Sequence, residues 1–430
     1  MSVFTVYCHG TGFNHVTGAE KDELVAYFHD HTQGAQATLS GGAVTNGTYL
    51  INDGPGHSGG AVALPQQINP MTGTQKVDKK HFWTKPTFAD HAAGRTGGQQ
   101  KAAGLRGMVY GTGWDENTQR TVNVIQELKF SHGQRIDTVN MVGWSRGAVT
   151  CLRIANLMKE VFGTSIICNI FAVDPVAGAD AGNTMVDTRQ IGDNVANYVG
   201  VLALHERRNT FSPQDLSRVA YAANVTKCIF LPMPGVHSAQ VIVGTPPDSA
   251  FITRNLACAL LRSWGTQITS TPFGHLNSPK DMAIAYARLV LSLSEASSYQ
   301  TGALEGRVGG GSRTYRRDFA KTSKMDTYTR GGKGSYWLNE HHRACFAAAY
   351  PGPYNLIFES TADATTAVTL QSRHSTFCKD LIASLPLRAS LAAKGLVVPS
   401  SATTFTMGIG AGRYVNQVNA MWDMAWPLHS

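Results

Sequence analysis

The 430-residue sequence has few charges and no closely paired cysteines. Charged residues make up 15% of the chain, against about 25% in an average soluble protein, while hydrophobic residues make up 43%. This balance excludes a disordered chain, a coiled coil and a highly charged tail. The seven cysteines are odd in number and form no C-x-x-C pair, which predicts buried thiols in a reducing compartment.

Long apolar runs are also missing. No run of about 18 apolar residues occurs, so we predict no transmembrane helix. Residues 1–7 lack a basic region followed by an apolar stretch, which predicts synthesis in the cytoplasm without a secretory signal.

The common metal and nucleotide motifs are absent as well. The sequence has no H-E-x-x-H, no P-loop ending and no EF-hand loop. We therefore expect no cofactor and no resident metal. Calcium in the acidic stretch 174–193 is an alternative without a supporting pattern, and His29-Asp30-His31 is expected at the surface.

Positive charge is in excess and is concentrated in one segment. The net charge is +8, and segment 305–343 holds nine Lys or Arg against four Asp or Glu. Such an excess favours an anionic partner. We expect a membrane surface and no nucleic acid, because the segment has no recognised nucleic-acid-binding signature.

Strand and helix patterns alternate up to about residue 265, which predicts βαβ units and a mainly parallel sheet. The predicted strands are 3–8, 49–52, 138–143, 165–173, 198–204 and 227–231, and the predicted helices are 115–129, 147–161, 251–263 and 278–293. We expect an α/β catalytic domain in residues 1–270. Residues 271–430 are expected to form an irregular, mostly helical, basic module that contacts a membrane or covers the site, with segment 52–100 as the alternative lid.

The strongest chemical signal is the sequence Gly-Trp-Ser-Arg-Gly at 143–147, between a predicted strand and a predicted helix. Glycines two positions either side of a serine let a strand turn directly into a helix and hold the Ser145 hydroxyl at the edge of the sheet. The backbone N–H of Arg146, at the helix N-terminus, is expected to stabilise an oxyanion. A second donor is expected from the glycine-rich turn at Gly10 and Thr11.

A serine nucleophile needs a histidine base and a carboxylate that orients the base. Asp174 ends the strand predicted after the Ser145 helix, and His237 follows the strand predicted at 227–231. Because loops after parallel strands meet at one sheet edge, we predict Asp174 as the acid and His237 as the base. The alternatives left open are Asp180 for the acid and His341 or His342 for the base.

Six short segments occur in the order found in one known family. They are HGTGFN (9–14), GWDEN (113–117), GWSRGA (143–148), VDPV (173–176), HERR (205–208) and PGVHS (234–238). Together they resemble the α/β-hydrolase domain of the first family of type VI secretion lipase effectors. The family usually has Asp at the positions of His9 and Ala239.

The resemblance implies an α/β-hydrolase fold and a phospholipase A-type serine carboxylester hydrolase that cleaves membrane glycerophospholipids. It implies Ser145 as nucleophile, Asp174 as acid and His237 as base, in an antibacterial or anti-host toxin. It also implies delivery into a target cell by a type VI system, with a secretion-apparatus component and a cognate immunity protein as partners.

Two questions stay open at this stage. Arg207 and Arg208 can either contact a lipid phosphate or form a brace with Glu206. The function can also be that of a soluble acyl esterase or thioesterase without a membrane role, or of a non-enzymatic lipid- or protein-binding toxin module.

Overall fold

The structure is a computed structural model of the chain. It describes residues 2–13, 15, 23–40, 43–55, 114–178, 186–203, 206, 208, 211–215, 218–233, 235–244 and 246–269, and then positions 285, 307–308, 311–312, 342, 345, 348–349, 396–397 and 406–407. Apart from those positions, the predicted helix 278–293, the basic segment 305–343 and the module 271–430 lie outside the described residues. The same holds for most of segment 52–100 and for Asp180, Arg207 and His341.

The described strands follow the predicted order along the chain. They are β1 (Val3–Cys8), β2 (Leu39–Ser40), β3 (Ala43–Val44), β4 (Tyr49–Asn52), β5 (Thr138–Trp144), β6 (Ile167–Val173), β7 (Val195–Ala203), β8 (Lys227–Met233), β9 (Arg307–Val308), β10 (Gly311–Ser312), β11 (Leu396–Val397) and β12 (Thr406–Met407). Six of them form one sheet in the order β4-β1-β5-β6-β7-β8. Every neighbouring pair in this sheet is parallel, so all six strands end at the same edge.

Helices cover both faces of this sheet. The described α-helices are α1 (Leu24–Asp30), α2 (Trp114–Phe130), α3 (Arg146–Phe162) and α4 (Asp248–Ser263). Successive side chains of a strand point to opposite faces, and Tyr7 of β1 contacts His29 of α1 while Cys8 contacts Cys151 of α3. The helices α1 and α3 therefore lie on opposite faces, and the chain has an α/β fold.

The central strands are mostly apolar because both faces are covered, with Asn140 and Asn169 as buried polar exceptions. In β6, every residue from Cys168 to Val173 is buried. The predicted strand 165–173 therefore differs from β6 only at its start. The helix α1 was not predicted, since its seven residues are too few to display a 3.6-residue period.

Residues on both sides of position 270 share one core. Ala285, Cys345 and Ala349 belong to the same buried cluster as the sheet residues. His342, one of the alternative bases, is fully buried and its Nε2 lies 3.0 Å from the carbonyl oxygen of Pro232 in β8. His342, which lies beyond position 270, therefore contacts β8, the edge strand of the sheet.

The described residues bear on two predictions from composition, one about the cysteines and one about membrane-spanning helices. Six cysteines are described as free thiols, and five of them are buried, as the sequence predicted. In the described part of the chain, no helix has the length and apolar character needed to cross a membrane.

Candidate active site

Ser145 is the whole connection between β5 and α3. Its backbone has φ 57° and ψ −125°, a conformation that is strained for any residue other than glycine. The Ser145 N–H donates to the carbonyl oxygen of Val173 at 2.9 Å, and this hydrogen bond helps to hold the turn. The strand, sharp turn and helix predicted at this motif are therefore present.

The two glycines of the motif are explained by close backbone approach. A Cβ atom on Gly143 would lie 2.5 Å from the Gly147 backbone, and one on Gly147 would lie 2.2 Å from the carbonyl oxygen of Cys8. Both distances are shorter than non-bonded carbon contacts allow, so neither position accepts a larger side chain without movement of the backbone.

The structure brings Asp174 and His237 together at the carboxyl edge of the sheet. Asp174 Oδ2 lies 2.5 Å from His237 Nδ1, and both side chains are buried. The other carboxylate oxygen of Asp174 accepts a hydrogen bond from the Ala203 N–H at 2.9 Å. A carboxylate partner keeps the proton on Nδ1, which leaves Nε2 as the basic nitrogen.

The parallel register places Ser145 beside this pair. β5 pairs with β6 so that Trp144 lies opposite Val173, and Ser145 and Asp174 are the next residues along the two strands. Asp174 also has a positive φ, 41°, so both residues leave their strands in a strained conformation.

Two aromatic side chains pack against the imidazole of His237. Its ring centroid lies 5.1 Å from that of Trp144 and 4.9 Å from that of Phe211, which meets it edge-on. His237 begins the short 3₁₀ helix His237–Gln240 that follows β8. These contacts and Asp174 restrict the orientation of the ring.

A buried carboxylate that was not predicted as part of the catalytic set also contacts His237. Glu206 Oε2 accepts a hydrogen bond from the His237 backbone N–H at 3.0 Å, and both Glu206 oxygens accept from the guanidinium of Arg208, at 2.8 and 2.9 Å. The Arg208 guanidinium also lies over the Phe211 ring, 3.5 Å from its centroid. Arg208 thus forms the brace with Glu206, which was one of the two alternatives predicted for it; the other was a contact with a lipid phosphate. Arg207 lies outside the described residues.

These hydrogen bonds keep Glu206 ionised. Burial raises the pKa of Glu206, but the hydrogen bonds from the Arg208 side chain and backbone and from the His237 backbone outweigh it and lower the pKa from 4.5 to about 2. The position of Glu206 shortly after the strand predicted at 198–204 is the signal that could have placed it at this edge of the sheet.

The depressed pKa of Glu206 predicts a pH dependence of stability. A carboxyl whose pKa is lower in the folded state contributes stability above its unfolded pKa and loses it as the pH falls through the folded value. We expect the difference in unfolding free energy between wild type and Glu206→Gln to be constant above about pH 5.5 and to shrink towards about pH 2. Urea unfolding at a series of pH values measures this, and a difference independent of pH would contradict it.

Gly10 and Thr11, predicted as oxyanion donors, follow β1 directly beside Ser145, because β1 is the neighbour of β5 in the sheet. A Cβ on Gly10 would lie 2.3 Å from a ring carbon of Trp144, so glycine allows the turn to approach the nucleophile strand. Among the described residues, the Thr11 backbone N–H has no acceptor. Its position and its unused donor fit the predicted role.

Arg146, the other predicted oxyanion donor, begins α3 directly after Ser145. Its side chain is buried and its Nε donates to the carbonyl oxygen of Ala177 at 3.4 Å. Burial lowers the pKa of the Arg146 guanidinium. The oxyanion role of the Arg146 backbone N–H stays a prediction.

A chain of titratable side chains, buried except for Asp30, begins at His9 next to the Thr11 turn. His9 Nδ1 lies 2.5 Å from Glu23 Oε2, His9 Nε2 lies 3.3 Å from His29 Nε2, and His29 Nδ1 lies 2.9 Å from Asp30 Oδ1. The prediction that His29 lies at the surface is wrong, because α1 packs this residue against β1.

Burial determines the protonation state of His29. Burial, and then the neighbouring His9, lower the pKa of His29 to about 3, so its ring is neutral at pH 7. A neutral His29 that donates from Nδ1 to Asp30 has a lone pair on Nε2, which lies next to His9 Nε2. Within the described residues, no group of three or more His, Cys, Asp or Glu side chains is arranged to hold a metal ion.

The fold and the site define an α/β protein with a buried histidine–carboxylate pair beside a strained serine. No family model matches the chain, and no curated protein matches it. Among solved structures, the chain is similar to an uncharacterized protein from Pseudomonas aeruginosa, with 14% sequence identity and a TM-score of 0.37. The match covers 98% of this chain and 66% of that chain, so this chain spans just under two thirds of that protein's length.

Proposed function

We propose that the chain is a serine carboxylester hydrolase with the α/β-hydrolase fold, acting as a phospholipase A-type enzyme on glycerophospholipids. The observation that supports this most is the 2.5 Å contact between His237 Nδ1 and Asp174 Oδ2 beside Ser145. Ser145 lies in a strained turn at the same sheet edge as this oriented, buried imidazole, and a serine hydroxyl becomes nucleophilic when such a base accepts its proton.

In the proposed reaction, the Ser145 oxygen attacks the ester carbonyl while His237 Nε2 takes the hydroxyl proton. Asp174 stabilises the imidazolium that forms, without itself taking the proton. The tetrahedral intermediate then collapses, the C–O bond to the alcohol breaks, and His237 returns the proton to the leaving lysophospholipid. Water, deprotonated by His237, attacks the acyl-serine ester in the same way and releases the fatty acid.

The backbone N–H groups of Arg146 and Thr11 are the proposed oxyanion donors. Arg146 begins α3 directly after Ser145, and Thr11 lies in the turn after β1, the strand next to β5. Donors fixed by the backbone need no reorganisation when negative charge develops on the carbonyl oxygen, which is why such groups lower the barrier.

The phospholipid substrate, the delivery by a type VI system and the immunity protein are proposals that come from the family resemblance. The basic character of segment 305–343 supports a membrane as the anionic partner. Each Lys or Arg held near an anionic bilayer contributes about 1 kcal/mol to attachment.

The direct test is product analysis with the purified full chain. Vesicles of phosphatidylcholine and phosphatidylglycerol and a soluble short-chain ester serve as substrates, and mass spectrometry identifies the products. We expect a fatty acid and a lysophospholipid from the vesicles, and covalent labelling by a fluorophosphonate. Activity on the soluble ester alone would favour an acyl esterase without a membrane role, and failure of both hydrolysis and labelling would favour a binding module.

A further inference from the structure

Three side chains, those of Glu206, Arg208 and Phe211, form a closed circuit of contacts with the proposed base, His237. The Glu206 carboxylate accepts a hydrogen bond from the His237 backbone N–H. The same carboxylate accepts two hydrogen bonds from the guanidinium of Arg208. That guanidinium lies over the face of Phe211, and the Phe211 ring meets the imidazole of His237 in a T-shaped arrangement. The circuit thus fixes His237 from two sides, at its main chain through a carboxylate and at its ring through an aromatic side chain.

Three contacts in the circuit involve a charged group, and the Arg208 side chain is half-exposed. A carboxylate accepting from a guanidinium through two parallel N–H···O bonds is both stronger and more directional than a neutral hydrogen bond. A guanidinium over an aromatic face adds a cation–π contribution. Glu206 is 4% exposed, so loss of its contacts would leave an unpaired charge in a buried position.

The circuit restrains the main chain of His237, which the Asp174 contact alone does not do. The Asp174 contact fixes one ring nitrogen of His237, but the ring can still move with the loop that carries it, since His237 is the first residue of a short 3₁₀ helix after β8. A shift of about 1 Å in a catalytic group can reduce a rate about 10²-fold. Control of the main-chain position of His237 is therefore a separate requirement from control of its tautomer.

We propose that Glu206 and Arg208 are positioning residues that set the orientation of His237, and that Arg208 is not a contact for the substrate phosphate. The inference rests on the proposed function of His237 as the base. The geometry favours it over phosphate binding because both Glu206 oxygens already pair with the Arg208 guanidinium. The carboxylate would also repel a phosphate at this position.

The test compares Glu206→Ala, Glu206→Gln and Arg208→Lys with wild type on two substrates, a neutral short-chain ester and a phospholipid vesicle. We expect Glu206→Ala to lower kcat about 10²-fold on both substrates with little change in KM. Glu206→Gln keeps one oxygen for the His237 N–H, so we expect a smaller loss of about tenfold. Arg208→Lys keeps the charge but loses the fork and the stacking, and its loss should equal or exceed that of Glu206→Gln.

A proton NMR measurement tests the proposal without relying on enzymatic activity. The proton shared by His237 Nδ1 and Asp174 gives a low-field proton resonance, which a His237→Gln variant assigns by its disappearance. We expect this resonance to persist in Glu206→Gln and to broaden or vanish in Glu206→Ala. If no ester is hydrolysed by wild type, the proposed function fails, but the resonance still reports whether Glu206 positions His237.

A buried ion pair elsewhere in the fold provides the matched control. Arg153 Nε lies 2.6 Å from Asp187 Oδ2 in a buried pair, and Asp187→Asn should lower stability without changing kcat or the resonance. A loss confined to the phospholipid, or a rise in KM at constant kcat, would overturn the proposal in favour of a phosphate contact. An unchanged kcat and resonance in Glu206→Ala would overturn it outright.

Discussion

Ser145→Ala is expected to lower the rate of ester hydrolysis by about 10⁶-fold and to abolish labelling by a fluorophosphonate. The hydroxyl is the only proposed group that forms a bond with the acyl carbon, so its loss removes the covalent route entirely. The residual rate should be that supplied by the oxyanion donors and substrate binding alone. Steady-state kinetics on a soluble ester and intact-mass analysis after labelling measure the two effects.

The strained backbone at Ser145 also predicts the effect of a glycine substitution at this position. Glycine adopts the observed φ of 57° without a steric penalty, although it also costs more backbone entropy on folding. We expect Ser145→Gly to be as inactive as Ser145→Ala but about 1 kcal/mol more stable in urea unfolding. The matched control is Ser165→Ala, because Ser165 is an exposed serine in the loop after α3, and this variant should keep full activity. Measurable hydrolysis by Ser145→Ala above one-tenth of the wild-type rate would show that another residue is the nucleophile.

Asp174→Asn is expected to lower kcat by about 10⁴-fold while leaving the fold intact. The Ala203 N–H donates to Asp174 Oδ1, and it would hold the amide oxygen of the new side chain at that place. The amide NH₂ group would then face His237 Nδ1 and favour the tautomer with the proton on Nε2. A base protonated on Nε2 cannot accept the Ser145 proton, which is the physical reason for the large effect.

The matched control for Asp174→Asn is Asp193→Asn. Asp193 is half-exposed and pairs with Lys159 at 2.8 Å on the surface, so the same chemical change there should leave kcat unaltered. Circular dichroism and urea unfolding of both variants exclude a general loss of structure. If Asp174→Asn keeps more than one-tenth of the wild-type kcat, the orienting acid lies elsewhere, with Asp180 as the first alternative to test.

The order and type of the main elements could be predicted because local pattern and environment agree. Apolar runs such as that in β6 are strands that helices cover on both faces. The amphipathic segment at 147–161 matches α3 within one residue at each end. By contrast, α1 has no clear period in seven residues, and only its packing against β1 makes it a helix.

The candidate site was predictable to the extent that it follows from strand ends. Ser145 and Asp174 directly follow strands of a parallel sheet, His237 begins the short helix after β8, and such residues share one edge. The role of Glu206 was not predictable in detail, because its contact with the His237 backbone depends on how two separate loops fold back over that edge.

The sequence by itself determined that strands and helices alternate, that Gly143 and Gly147 flank a serine in a sharp turn, and that Asp174 and His237 follow later strands. These properties depend on the residue types of short segments and their spacing. The tertiary structure alone decided that Asp174 Oδ2 and His237 Nδ1 meet at 2.5 Å, and that His29 is buried rather than exposed. Contacts between residues far apart in sequence depend on the register of neighbouring strands and the packing of loops, which no local pattern encodes.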